Sequence, residues 1–121
     1  MTKARQNATA IERGSNSNGE WVRYPDGTQI CWKPLHEITE STDNAVDYGY
    51  NLQSRPIWTF PKAFMDNNID VRVTAERGSG RLVYGLAVSK TTADMDYQIV
   101  NGRSETDVVF GVSFYAIGRW K

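Results

Sequence analysis

Apolar and polar positions alternate in short runs along most of this chain, and turn-forming residues separate the runs. Because successive side chains of a strand point to opposite faces, this period of two predicts β-strands, and no helical pattern of useful length is present. The longest run spans residues 107–117, with Val108, Phe110, Val112, Phe114 and Ala116 on one face and Val109, Tyr115 and Ile117 on the other. A strand that is apolar on both faces is usually central in its sheet. Several short strands of this kind predict an all-β sandwich or barrel.

Shorter runs of the same kind predict the remaining strands. They cover residues 35–41, 57–60, 69–74, 82–88 and 97–100, and Leu82, Tyr84, Leu86 and Val88 form one alternating face. Segments rich in small and polar residues predict loops at 14–19, 42–54, 76–81 and 91–96. Because the first eighteen residues are mostly polar, we assign 1–18 to an N-terminal arm and hinge and 19–121 to the β domain.

A β-hairpin is predicted over residues 20–32, where Pro25-Asp26-Gly27 lies between two strand-like runs. Proline suits the first central position of a type I turn, aspartate suits the second, and glycine suits the left-handed residue of the bulge that follows. A loop of this type pairs Tyr24 with Thr28, Val22 with Ile30, and Trp21 with Cys31.

Both faces of this hairpin carry large apolar groups. One face holds Val22, Tyr24, Ile30 and Trp32, and the other holds Trp21, Arg23, Gln29 and Cys31. A hairpin that lies on a single core needs only one apolar face. We therefore expect a neighbouring subunit against the second face, with Trp21, Arg23 and Cys31 at the interface.

Composition excludes several classes of protein. The chain has 121 residues, the size of one domain, and its 40% hydrophobic content is ample for one core. Basic and acidic residues number 14 each, so the positive surplus that nucleic-acid binding needs is absent. A single cysteine, Cys31, permits no intrachain disulfide. Because the sequence has neither a signal-peptide core nor a run of about 20 apolar residues, we expect a chain made in the cytoplasm without membrane insertion.

Three motifs resemble those of phage tail-fibre C-terminal receptor-binding domains. They are the hairpin of residues 18–32 (NGEWVRYPDGTQICW), the FPKAF segment of 60–64 and the AIGRW segment of 116–120. The motifs occur in the expected order and span nearly the whole chain. The resemblance implies a small antiparallel β-sandwich related to H-type lectins, with an N-terminal hairpin. It also implies a homotrimer on a virion that binds the host surface, with Trp120 held at a neighbouring subunit.

Candidate catalytic chemistry is sparse. His36 has no surrounding Cys or His residues, and Cys31 has no well-placed base, so we expect no catalytic site, metal or cofactor. Asp94 and Asp96 share one side if their segment is extended, and they could bind a metal or a sugar hydroxyl. Loop residues that combine charge, amide and aromatic groups are the candidates for receptor contact, and we select Arg77, Arg81, Asp94, Asp96 and Tyr97.

Three functions are compatible with these sequence features. The first is a non-enzymatic tail-fibre or spike tip that binds a host-surface glycan or protein as a homotrimer, with the N-terminal arm contacting other virion proteins. The second is a structural decoration, collar or fibre-adaptor protein of the same fold without a receptor. The third is a depolymerase, which needs a pair of carboxylates facing one groove.

Overall fold

The structure is a computed structural model that describes residues 10–47, 49–77 and 82–121. Over these ranges the chain forms β-strands joined by turns and bends, without a helix. The strands are β1 (Glu12–Asn16), β2 (Gly19–Arg23), β3 (Thr28–Thr42), β4 (Asn44–Val46), β5 (Gly49–Asn51), β6 (Ile57–Thr59), β7 (Asp70–Glu76), β8 (Val83–Lys90), β9 (Asp94–Asn101) and β10 (Glu105–Arg119).

The strands form two antiparallel sheets. The order is β1-β2-β3-β10-β7 in the first sheet and β4-β5-β9-β6 in the second, where β8 pairs with β9. Because β6 and β8 both pair with Met95 and Asp96, they lie on opposite edges of β9. Residues of β3, β9 and β10 share one hydrophobic core between the sheets. The all-β class is confirmed, and the architecture is the sandwich.

The long strand β10 is central in the first sheet, as predicted. It pairs with β3 from Glu105 opposite Thr42 to Arg119 opposite Thr28, and with β7 on its other edge. Its predicted inward residues are at most 5% exposed, namely Val108, Phe110, Val112, Phe114 and Ala116. On its other face, Val109 and Tyr115 are exposed and Ile117 is half-buried.

The predicted hairpin forms β2 and the beginning of β3. Trp21 lies opposite Cys31 and Val22 opposite Ile30, which is the predicted register. The Gly27 amide donates to the Tyr24 carbonyl at 3.0 Å, and Gly27 has the positive φ, +99°, that a left-handed position requires. Turn chemistry therefore determines this register locally.

Aromatic side chains join the two sheets. The indole of Trp58 stacks on Phe114 at 5.0 Å with an interplanar angle of 17°, and Phe60 lies edge-on to both Trp58 and Phe64. The Trp58 Nε1 donates to the Asn18 carbonyl at 2.8 Å, so the buried polar atom is satisfied. These rings place the 57–64 segment over the core beneath the hairpin.

Three predicted loops contain strands. Residues 12–16 form β1, which pairs along its length with β2, so the loop predicted at 14–19 is reduced to its turn. The domain boundary assigned after residue 18 coincides with the end of that turn and stays a prediction. Residues 42–54 contain the short hairpin of β4 and β5, and β9 begins at Asp94 rather than at residue 97. These strands lie at edges or are rich in polar residues, so they lack the apolar alternation on which the prediction depends.

The apolar alternating face predicted for 82–88 points out of the sandwich. Leu82 is 70% exposed, Tyr84 40% and Val88 48%. The opposite face of β8 packs inward, where a Cβ on Gly85 would lie 2.6 Å from Cγ1 of Val73. Close approach to β7 requires small residues on that side, and the larger ones therefore face outward.

Candidate functional site

Asp94 and Asp96 share one face of β9, as predicted for an extended segment. The alternating residue Met95 is fully buried, so the two carboxylates point away from the core. The Asp94 carboxylate accepts from the Thr91 hydroxyl at 3.0 Å, and the Asp94 amide donates to the same hydroxyl at 3.2 Å. Asp94 therefore closes the turn between β8 and β9, while Asp96 lies between Ile57 and Ser89 on the neighbouring strands.

Tyr97 is a core residue, which corrects its selection as a receptor contact. It is 6% exposed, and its ring lies 4.8 Å from that of Phe114 in an edge-on arrangement. Burial raises the pKa of its hydroxyl, and the charge of Glu40 raises it further. Because β9 begins earlier than predicted, its alternation directs Tyr97 inward.

Arg77 lies at the far end of the sandwich from Asp94. Its guanidinium forms an ion pair with the Glu105 carboxylate, next to Asn101 at the end of β9. Asp94 and Asn101 are the two ends of that strand, roughly 23 Å apart at 3.3 Å per residue. Arg81 lies outside the described residues. The described members of the predicted receptor set therefore do not form one site.

Cys31, predicted at the subunit interface, lies inside the chain. It is fully buried, and its Sγ lies 3.5 Å from the Lys62 carbonyl and 3.5 Å from the Gln29 amide. Burial raises the pKa of the Cys31 thiol from 9.0 to about 11. The interface assignment is corrected here, because a fully buried side chain cannot contact another subunit.

The face of Trp21 and Arg23 is also covered by the chain itself. The Trp21 indole lies across Gly14 of β1, and the Lys62 ammonium lies 5.1 Å from the ring centroid. Arg23 Nε donates to Gln29 Oε1 at 2.7 Å, and the Gln29 amide donates to the Lys62 carbonyl at 2.9 Å. Segment 60–64 thus takes the place that the sequence assigned to a neighbouring subunit, and a subunit contact by Trp21 or Arg23 stays a prediction.

Trp120 is anchored to the hairpin turn of its own chain. Its Nε1 donates to the Tyr24 carbonyl at 2.8 Å, and its backbone amide donates to the Gly27 carbonyl at 2.9 Å. The guanidinium of Arg23 lies 5.0 Å from its ring. Trp120 therefore closes one end of the first sheet, and its contact with another subunit stays a prediction.

A first cleft, here called the acidic cleft, lies on the outer face of the first sheet. It has a volume of about 380 Å³, and its lining is Leu35, His36, Glu37, Glu76, Arg77, Val109 and Gly111. Glu37 and Glu76 lie opposite Gly111 on the two neighbouring strands. Gly111 has no side chain, which leaves the space between the two glutamates open. Because the charge of Arg77 is balanced by Glu105, the glutamates give the acidic cleft a net negative charge.

A second cleft, here called the amide cleft, lies in the second sheet and has a volume of about 270 Å³. Its polar lining is Asn44, Asn51, Gln53, Arg55 and Gln98, and its apolar lining is Leu52, Leu86 and Val88. These residues come from three separate segments of the chain, and half of them lie in a predicted loop. No local sequence signal joins those segments, which is why sequence reasoning did not select the cleft.

Within residues 10–47, 49–77 and 82–121, no three side chains of the His, Cys, Asp or Glu type come together to hold a metal ion. The His36 ring instead packs 5.5 Å from that of Phe114. In the same described part of the chain, no helix has the length and apolarity to cross a membrane.

Comparison with known proteins identifies the fold. No protein-family model and no curated protein matches the sequence. An N-truncated R1-type pyocin tail fibre matches 98% of this chain and 97% of its own, at 17% identity and a TM-score of 0.62. This chain has the tail-fibre fold. A C-terminal fragment of the R2 pyocin fibre of P. aeruginosa matches over 98% of this chain and 30% of its own, at 18% identity and a TM-score of 0.62. An N-truncated R2-type pyocin tail fibre matches over 91% of this chain and 38% of its own, at 18% identity and a TM-score of 0.60.

The tail-fibre motifs noted in the sequence meet at one end of the sandwich. The amide of Gln29, in the hairpin, donates to the Lys62 carbonyl of the FPKAF segment. The Met65 amide donates to the Arg119 carbonyl at 2.9 Å, and Gly118 lies against the Phe64 ring. The three motifs are therefore in contact in the folded chain.

Proposed function

We propose that this chain is a non-enzymatic tail-fibre or spike tip module that binds a glycan on a host surface as a homotrimer. The observation that supports the proposal most is the tail-fibre fold, which extends over 98% of the chain and matches nearly the whole of one fibre fragment. A fold does not by itself imply a function. The receptor-binding role and the trimer are therefore proposed from the resemblance of the three motifs.

The two aspartates that the sequence offers for a depolymerase, Asp94 and Asp96, are poorly placed for cleavage. Asp94 is held by the Thr91 hydroxyl in the turn between β8 and β9. Neither aspartate lines the acidic cleft or the amide cleft. A glycosidase needs its two carboxyl groups on either side of the glycosidic bond that is cut, and neither of the two clefts holds a sugar between Asp94 and Asp96.

A cell-binding experiment tests the receptor-binding role. We expect the fluorescently labelled chain to bind saturably to at least one strain in a panel of Gram-negative bacteria that includes P. aeruginosa. Polysaccharide purified from that strain should compete for binding, and incubation with it should release no reducing sugar. Absence of binding across the panel, together with incorporation of the chain into particles, would instead support a decoration, collar or adaptor protein. Release of reducing sugar would support the depolymerase.

A further inference from the structure

The amide cleft is held in shape by Gln98. This residue is 8% exposed, and its Oε1 accepts from the Leu52 amide at 3.0 Å while its Nε2 donates to the Ser54 carbonyl at 2.9 Å. The two bonds fasten residues 52–54 to β9, which fixes the positions of Gln53 and Arg55 at the cleft. A site whose walls are fixed before binding loses less entropy when a ligand enters.

Arg55 supplies an unsatisfied positive charge. It is exposed, and it forms no ion pair or hydrogen bond with any other residue in the described part of the chain. No carboxylate lines this cleft. A free guanidinium binds carboxylate and phosphate groups through two parallel hydrogen bonds. The amide cleft is therefore suited to an anion, in contrast to the acidic cleft, where Arg77 is already paired.

The rest of the lining suits a sugar ring. Amide side chains both donate and accept, which matches the hydroxyl groups of a saccharide, and Asn51 and Asn44 lie opposite each other on β5 and β4. Leu86 and Val88 offer an apolar surface for the C–H face of the ring. A volume of about 270 Å³ accommodates a small ligand rather than a long oligosaccharide.

We infer that the amide cleft binds one anionic sugar unit of a host polysaccharide, with its carboxylate or phosphate on Arg55 and its hydroxyls on the Asn and Gln amides. This inference rests on the proposed receptor-binding function and assigns it a site. The amide cleft takes the place of the receptor contacts predicted from the sequence, whose described members do not form one site.

Titration of the ¹⁵N-labelled chain with single sugars tests the assignment. Galacturonic acid, glucose 6-phosphate and glucose are the probes, and amide chemical shifts are the readout. We expect at least one anionic sugar to shift the amides of residues 51–55, 86–88 and 98 saturably, and to bind several-fold more tightly than glucose. The two anionic probes distinguish carboxylate from phosphate. Equal binding of all three sugars, or shifts elsewhere on the chain, would overturn the inference.

Charge-matched variants complete the test. Arg55→Gln should weaken binding of the anionic sugar about tenfold or more, since a hydrogen bond to a charged group is lost. Arg13→Gln removes the same charge from the first sheet and should leave affinity unchanged. If the unaltered chain binds host cells and Arg55→Gln binds equally well, the site assignment fails while the proposed function stands. If the unaltered chain binds no cells, the proposed function itself fails.

Discussion

At the scale of single residues, the inner face of the hairpin shows how polar groups are kept in a core. Gln29 and Cys31 are both fully buried, and the Gln29 amide is satisfied by backbone carbonyls of the 60–64 segment. Because buried polar groups are costly unless they are hydrogen-bonded, this network requires that segment to lie where it does. The chain thereby covers a face that the sequence alone assigned to another subunit.

The Cys31 thiol should make stability depend on alkaline pH. Its folded pKa of about 11 is higher than the ordinary value of 9.0, so above pH 9 the unfolded chain loses a proton that the folded chain keeps. The resulting loss of stability begins as the pH rises past 9 and continues through about 11, whereas below 9 this group has no effect. The difference between the free energies of unfolding in urea at pH 8 and at pH 10.5 measures this loss of stability.

Cys31→Ala provides the control for this experiment. The variant should be less stable than the unaltered chain at pH 8, because a buried side chain has been shortened. Its decline between the two pH values should be smaller than that of the unaltered chain, by the contribution of the thiol. Equal declines would show that Cys31 ionises alike in the folded and unfolded chains.

At the scale of elements, the turn between β2 and β3 is held from two sides. Asp26 Oδ1 accepts from the Thr28 amide at 2.9 Å, and this bond is the largest cause of the lowered pKa of Asp26. From the C-terminus, Arg119 donates to the Asp26 carbonyl at 2.7 Å, and Trp120 donates to Gly27. Local turn chemistry and the end of β10 therefore support the same conformation.

Gly27→Ala should destabilise the fold by about 1–3 kcal/mol, because a side chain is placed in a left-handed conformation. The new Cβ would also lie 2.7 Å from the Lys121 carbonyl oxygen. Gly102→Ala is the matched control, since its Cβ would meet nothing nearer than 3.5 Å and its φ is not in that region. Chemical denaturation of both variants measures the difference. Equal stabilities would mean that the turn adapts to a side chain without cost.

At the scale of the whole molecule, the outer face of the first sheet presents apolar side chains. Tyr115 lies opposite Trp32, and Ile117 lies opposite Ile30. Tyr115 is 39% exposed, and the exposed ion pair between Arg72 and Asp70 lies on the neighbouring strand. With the inner hairpin face already covered, this face is where we expect the proposed trimer to form, because apolar patches with a polar rim are typical of subunit interfaces.

Tyr115→Arg should convert the proposed trimer to monomer without a large loss of fold stability, because the side chain is exposed in a single chain. Leu82→Arg, at a 70% exposed position immediately before β8, is the control and should leave the assembly unchanged. Light scattering gives the mass, and circular dichroism gives the fold. A monomeric unaltered chain would contradict the trimer, and a trimeric Tyr115→Arg would place the interface elsewhere.

Local patterns were sufficient for much of the fold and for little of the candidate site. The alternation of β10 and the Pro25-Asp26-Gly27 turn each depend on residues a few positions apart, and both were predicted in the correct register. The amide cleft requires Asn51, Leu86 and Gln98 to meet, and only the pairing of β5 and β8 with β9 brings them together. No short stretch of sequence contains that information.

The sequence by itself determined the all-β class, the central strand and the hairpin, because side-chain alternation and turn geometry are local properties of the backbone. Only the tertiary structure decided which apolar face is covered. It placed Tyr97 and Cys31 inside, directed Tyr84 and Val88 outward, and put segment 60–64 where a subunit was expected. The physical reason is that an alternating strand has two faces, and packing against the rest of the chain determines which of them is buried.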